Sequence, residues 1–241
     1  VLNAPDFQSM KSLSAESLLS ASISLRHPYR PNIDGELIPK NLTQLLDERS
    51  FNNVDLMIGN NKNEDYMYVD ESVTESDINR LIENYYPEHQ DKLLSLLDLE
   101  DPRLAMDHLT TNQVTLCPSV FIARSLAKNG NNVYQYHFTR MREGSEKILS
   151  YHGAEIPYVF NTHDEWLPTN EVDQQLTEAM MEYWVEFATK GTPNSINNPT
   201  WKEFGMEENY LILDAELENS SKLENDFCEI MIDELIKRSS S

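Results

Sequence analysis

The chain has 241 residues, enough to bury the core of one large domain. Its 19 Lys and Arg against 41 Asp and Glu give a formal net charge of −22. This charge argues against nucleic acid or an anionic membrane surface as a main partner, because both bind cationic protein faces. No apolar run approaches the roughly 20 residues of a membrane-spanning helix, and the first residues lack the basic and apolar regions of a signal peptide. We therefore expect a soluble chain without a membrane span.

The secondary structure predicted from periodicity and turn signals alternates between helices and strands. Helices are predicted over 12–25, 41–48, 72–86, 91–97, 104–109, 119–128, 170–189 and 224–238, and strands over 54–59, 133–138 and 210–213. The segment 27–31 breaks the first helix, Asp34-Gly35 signals a turn, and Ser72 with Glu75 has the spacing of a capping box. We place 210–213 at an edge or end of the sheet. This alternation predicts an α/β fold with helices on both faces of the sheet.

Two charged side chains follow successive predicted strands. Glu64 lies in a polar segment, 60–65, after the first strand, and His152 lies in an irregular segment after the second. In α/β hydrolases the acid and the histidine of the catalytic triad follow successive strands in this order, after the serine. From the residues alone both alternatives remain open, because Glu64 could be a solvated loop carboxylate and His152 an ordinary surface or core histidine.

The two cysteines, Cys117 and Cys228, are too few for a zinc site, and their separation excludes a CxxC redox motif. They form either one long-range disulfide or two buried thiols. The sequence therefore predicts neither a metal site nor a cofactor.

Five segments resemble, in order, the type-B carboxylesterases, the family that includes the cholinesterases. They are 29–39 (YRPNIDGELIP, similar to P-x-x-D-G-x-x-x-P), 60–64 (NNKNE, similar to the acid loop), 107–138 (the Cys-Pro helix and a VYxYxF strand), 152–160 (HGAEIPYVF, similar to the histidine motif) and 183–201 (similar to Y-W-x-x-F-A-x-x-G-x-P-N followed by Trp). The resemblance implies that residues 1–241 are the C-terminal part of a single α/β-hydrolase domain, with the corresponding part of its sheet and covering helices.

The resemblance implies roles for individual residues. It makes His152 the catalytic base, Glu64 the acid that orients it, and Glu155 a supporting carboxylate, for which an ordinary polar loop residue is the alternative. The chain departs from the family pattern at Asn63, where Asp is frequent, and at Asp65, where Gly is usual. Asp65 leaves open which carboxylate is directed at His152.

The resemblance also bears on the cysteines, because some family members join the positions of Cys117 and Cys228 by a disulfide. Such a bond implies secretion or another oxidising compartment, and free thiols in a reduced protein are the alternative. The triplets at Asn41 and Asn219 are acceptors for glycosylation only if a eukaryote secretes the protein.

The sequence contains neither the G-x-S-x-G nucleophile motif nor a glycine-rich oxyanion segment. In the family both come earlier, so we expect a preceding portion of the same protein to supply the serine and the oxyanion hole. The resulting hypothesis is a serine carboxylic-ester hydrolase acting on a small-molecule ester. A catalytically inactive, cholinesterase-like adhesion or binding protein is the alternative. The closing amphipathic helix, 224–238, also makes a homodimer possible.

Overall fold

The computed structural model describes residues 2–26 and 31–239. The chain divides into two compact units, Val1–Asn41 and Leu42–Ser241. Of the predicted helix break, 27–31, residues 27–30 lie outside the described residues. Tyr29 and Arg30 of the family-like segment 29–39 lie there as well.

The first unit contains two short helices, α1 (Phe7–Lys11) and α2 (Ala15–Leu25), where a single helix over 12–25 was predicted. The helix α2 begins late because the Ser14 hydroxyl accepts a hydrogen bond from the amide of Ser17, which makes Ser14 its N-cap. The apolar face of α2 is largely uncovered, with Leu19 62% and Ile23 66% exposed. The predicted turn is present, since the Asp34 carboxylate accepts hydrogen bonds from two amides that follow it.

The second unit is a four-stranded sheet with helices on both faces. Its elements are α3 (Leu42–Asp47), β1 (Leu56–Asn61), α4 (Glu75–Tyr85), α5 (Gln90–Ser95), α6 (Pro102–Thr111), a π-helical turn (Asn112–Leu116), α7 (Cys117–Lys128), β2 (Val133–Phe138), α8 (Ile156–Phe160), α9 (Glu171–Lys190), β3 (Asn209–Leu213), β4 (Glu218–Ser221) and α10 (Asn225–Ser239). The strand order is β1-β2-β3-β4, with β1, β2 and β3 parallel and β4 antiparallel to β3. The predicted α/β class is confirmed.

The strands differ from the prediction in three respects. The strand β3 lies inside the sheet, between β2 and β4, and not at an edge or end. Its neighbour β4 was missed because its four residues, ENSS, are polar and lie at a partly exposed sheet edge, so they show no apolar alternation. The strand β1 extends through Asn61, so the first two residues of the predicted polar loop belong to the sheet.

The start of α4 also differs from the prediction. The Asp77 carboxylate accepts hydrogen bonds from the amide and hydroxyl of Thr74, and the capping box is therefore Thr74 with Asp77. The predicted cap, Ser72, instead donates its hydroxyl to the Asp70 carboxylate at 2.6 Å. Its side chain is thereby used in the preceding turn.

The helices α6 and α7 form one continuous rod through the π-turn, whereas the prediction began a new helix at Pro118. Proline has no amide hydrogen, and in a regular α-helix its ring clashes with the carbonyl four residues earlier, here that of Val114. The π-turn directly before α7 widens the backbone at this point and accommodates the proline without ending the helix.

The two faces of the sheet are covered differently. On one face, α7 packs on β1 and β2. A separate cluster of apolar side chains joins α4 to α7 with α10, and Cys117 of α7 forms a disulfide with Cys228 of α10. On the other, aromatic side chains of β2 pack against α8, α9 and Trp201. Tyr136 lies directly over Gly59 of β1, where a Cβ atom would come within 2.3 Å of the tyrosine ring. The aromatic side chains of α9 belong to the same cluster, so the apolar stripe of this helix serves packing, as its periodicity predicted.

Candidate active site

The sheet brings the two predicted catalytic segments side by side. Because β1 and β2 are parallel neighbours, with Asn61 opposite Phe138, both strands end at the same edge. The pairing continues beyond β1, where Asn63 forms a parallel bridge with Tyr151. Glu64 and His152 are the residues that follow each partner of this bridge. Their proximity is therefore a consequence of strand register.

Glu64 and His152 form a short hydrogen bond, with 2.6 Å between Oε2 of the carboxylate and Nδ1 of the ring. The glutamate is only 8% exposed, whereas the histidine side chain is 61% exposed. A carboxylate bonded to Nδ1 fixes the tautomer of the imidazole and stabilises its protonated form. The arrangement leaves Nε2 as the ring nitrogen that can exchange a proton with another group.

The ionisation of the two groups is coupled. Burial raises the pKa of Glu64, while hydrogen bonds from the Asn61 amide and from His152 act in the opposite direction. The hydrogen bond to Glu64 raises the pKa of His152 above its usual value near 6.5, and the desolvation of the ring only partly offsets this effect. A histidine with a raised pKa is a stronger base, which is the property a general base requires.

Asn61 connects the acid to Glu155. Its amide donates to Glu64 Oε1 at 2.7 Å, and its side-chain Nδ2 donates to Glu155 Oε2 at 2.5 Å and to the carbonyl of Tyr151 at 2.8 Å. Glu155 is therefore hydrogen-bonded to the last residue of β1. Sequence reasoning missed Asn61; the signal that could have found it is an amide side chain at the carboxyl end of a predicted buried strand.

Asp107 of α6 binds the loop that carries Glu64. Its fully buried carboxylate accepts hydrogen bonds from Asn63 Nδ2 at 2.8 Å, from the amide of Asp65 at 3.1 Å and from the hydroxyl of Thr111 at 3.1 Å. Burial raises the pKa of Asp107. An aspartate in place of Asn63 would set two carboxylates against each other here, so an amide suits this position. Sequence reasoning missed this role of Asp107.

The position of Asp65 bears on the choice between the two loop carboxylates. Its backbone is fixed by Asp107, and within residues 31–239 no hydrogen bond or ion pair joins its carboxylate to His152. The structure brings Glu64, and not Asp65, to the imidazole.

The pKa of His152 provides a direct test of the contact. We expect its ring to titrate above pH 6.5 in the unmodified chain and at a lower pH in Glu64→Gln, because the amide cannot stabilise the imidazolium as a carboxylate does. The stabilisation that the contact gives to the fold is fully present below pH 6.5 and is lost as pH rises through the raised pKa. NMR titration of the histidine ring signals measures both values. The ring of His163, which bonds to Thr177, is the internal control and should not move.

Residues 4–231 match the model of the carboxylesterase family. The chain belongs to the carboxylesterase family. The resemblance seen in the sequence motifs is thereby confirmed.

Curated members of the carboxylesterase family show how much of such a protein this chain represents. The chain is 27% identical over 227 residues to carboxylesterase 1D of Mus musculus, 28% over 225 residues to carboxylesterase 1E of Rattus norvegicus and 28% over 228 residues to liver carboxylesterase of Sus scrofa. These alignments cover 82–83% of this chain and 40% of each relative. The chain thus spans about two fifths of the length of the curated relatives it matches.

Solved structures support the fold of this carboxylesterase-family chain. It superposes on a PNB esterase with a TM-score of 0.76 and on a thermophylic PNB esterase with a TM-score of 0.75, at 20% sequence identity in each case. Each superposition covers 92% of this chain and 49% of the solved one. The observed sheet is therefore part of an α/β-hydrolase sheet.

Among the described residues, no helix has the length and apolar character needed to cross a membrane.

Proposed function

We propose that this chain supplies the histidine and the acid of a serine carboxylic-ester hydrolase that acts on a small-molecule ester. His152 is the general base, Glu64 is the acid that orients it, and Glu155 supports the end of β1 next to the acid. The contact of 2.6 Å between Glu64 and His152, in a chain of the carboxylesterase family, is the observation that supports this proposal best.

In the proposed mechanism a serine hydroxyl gives its proton to Nε2 of His152 and attacks the ester carbonyl carbon. Glu64 stabilises the imidazolium formed at this step. The imidazolium then gives the proton to the departing alcohol, which leaves an acyl-enzyme. Water, activated by the same nitrogen, hydrolyses the acyl-enzyme, and the proton returns to the serine.

The serine in this proposal comes from another portion of the same protein, so that residues 1–241 form the C-terminal part of one α/β-hydrolase domain. The arrangement of the sheet supports this partition. In the part of the chain that the structure describes, no strand pairs with the second edge of β1. A parallel strand added at this edge would end beside Glu64 and His152, where a nucleophile is needed.

The alternative is an inactive, cholinesterase-like adhesion or binding protein. The hydrogen bond between the buried Glu64 and the exposed His152 favours an enzyme, because a binding protein has no need for a carboxylate that strengthens a solvent-accessible base. We also infer an oxidising compartment, such as the secretory route, from the disulfide between Cys117 and Cys228. The helix α10 is the surface we propose for a homodimer.

Labelling with a fluorophosphonate tests the proposed function. In the longer polypeptide we expect covalent labelling of one serine and hydrolysis of p-nitrophenyl acetate, with both abolished by His152→Ala. The control is His163→Ala, which should retain both, since His163 bonds to Thr177 of α9 and, among the described residues, no hydrogen bond or ion pair joins it to Glu64. The 241-residue chain alone should do neither. An unlabelled longer polypeptide would support the binding protein, and enzyme-like hydrolysis by the isolated chain would contradict the partition.

A further inference from the structure

Three side chains with metal-binding atoms converge outside the catalytic segments. Glu88 and His89 lie in the turn between α4 and α5, and Glu234 lies on α10. One ligand atom from each of the three lies within 4.8 Å of the other two. The turn and the helix together thus present one imidazole nitrogen and two carboxylate oxygens to a common point.

The imidazole of His89 is the unusual member of this group. Its Nε2 atom is buried and has no hydrogen-bond partner among the described residues. Its ion-pair partner is Oε1 of Glu234. The two atoms lie 3.9 Å apart, which is too long for a hydrogen bond. A buried polar atom without a partner costs free energy, and a bound cation would remove this cost. In a tetrahedral zinc site with bonds of about 2 Å, two ligand atoms lie about 3.3 Å apart, so the side chains of His89 and Glu234 have to approach each other by about 0.6 Å to share one ion.

Lys237 balances part of the negative charge around these residues. Its ammonium group lies 2.9 Å from Glu234 Oε1, 2.8 Å from Asp233 Oδ2 and 4.0 Å from Glu88 Oε2. Hydrogen bonds to Asp233 and Glu234 raise its pKa. A metal ion bound to Glu234 must displace this ammonium, and Lys237 can then pair with Asp233 alone.

We propose that Glu88, His89 and Glu234 bind a zinc ion. One nitrogen and two oxygen ligands suit Zn²⁺, which takes three protein ligands and a water molecule at open sites. The thiols, which would compete for zinc, are joined in the disulfide. The bound ion would connect the turn between α4 and α5 directly to α10. The sequence predicted no metal site because the ligands are two adjacent residues and one distant residue, without a recognisable spacing.

Isothermal titration of the metal-free 241-residue chain with ZnCl₂ tests the proposal, in a form without a histidine tag. We expect one zinc ion per chain, with the affinity reduced by at least about tenfold in His89→Gln, because glutamine keeps a polar side chain but lacks the imidazole nitrogen. The matched control is His108→Gln. His108 Nε2 lies 3.2 Å from Glu224 and is about as exposed as His89, but no third ligand accompanies this pair within the described ranges. Its replacement should leave the affinity unchanged.

Lys237→Met provides a second test, because its expected effect is a higher affinity for zinc, which a misfolded variant would not show. Removal of the competing ammonium should tighten zinc binding by several-fold or more. Absence of binding, equal losses in His89→Gln and His108→Gln, or weaker binding in Lys237→Met would each overturn the proposal.

Discussion

Glu64→Gln is expected to lower kcat/KM for ester hydrolysis by about 10³- to 10⁴-fold in the proposed longer polypeptide. The substitution keeps the size of a side chain that is 8% exposed, but an amide at 2.6 Å from Nδ1 cannot stabilise the imidazolium. It also allows the wrong tautomer, in which Nδ1 accepts a hydrogen bond and Nε2 carries the proton. Steady-state hydrolysis of p-nitrophenyl acetate measures the effect.

Asp65→Asn is the matched control, because it removes a carboxylate from the adjacent position of the same loop. The contact that holds Asp65 is made by its backbone amide to Asp107, and the substitution preserves that contact. We expect its kcat/KM to change by less than about threefold, as for a charge outside the catalytic contact. If Asp65→Asn abolished activity and Glu64→Gln did not, the acid would be Asp65.

Removing the disulfide is expected to have the largest effect on stability. It links residues 111 positions apart and joins α7 to α10 through two fully buried sulfur atoms. On a chain-entropy model, opening a loop of this size lowers the free energy of unfolding by about 4 to 5 kcal/mol. The double variant Cys117→Ala/Cys228→Ala avoids burying new polar groups, and urea denaturation of the 241-residue chain measures the change.

Chemical reduction of the unmodified chain is the control for this measurement. Reduced protein and the double variant should lose similar stability, because both lack the covalent link and differ only by two thiols. A loss below about 1 kcal/mol in both would mean that the bond contributes little to the fold. An unmodified chain that does not gain two hydrogens in mass on reduction would contain free thiols.

The parts of the fold that the sequence predicted are those with strong local signals. The strand β2 was predicted at its observed bounds because its apolar residues alternate over the full length of a buried strand. The end of β1 was not, because Asn60 and Asn61 are polar and become strand residues only through pairing with β2. Hydrogen bonding with a distant partner overrides local propensity at such positions.

The residues of the candidate site also differ in whether a pattern in the sequence could predict them. The order of strand, Glu64, strand and His152 can be seen in the sequence and indicates the two side chains that the structure brings into contact. The order alone left an ordinary role open for both residues, and the resemblance to the family was needed to favour a catalytic one. The contributions of Asn61 and Asp107 depend on contacts across 94 and 44 positions of the chain, to Glu155 and Asn63 respectively. No spacing rule for an isolated sequence predicts such pairs.

The π-turn changes the directions in which the side chains of α6 and α7 point. Each residue of an α-helix advances the side-chain direction by about 100°, and a π-turn contains one residue more than an α-helical turn. The side chains of α7 are therefore out of phase with those of α6 by about this angle. Asp107 can face the acid loop while Cys117 faces α10. The extra residue thus sets the rotational phase that lets the same rod hold both the acid loop and the closing helix.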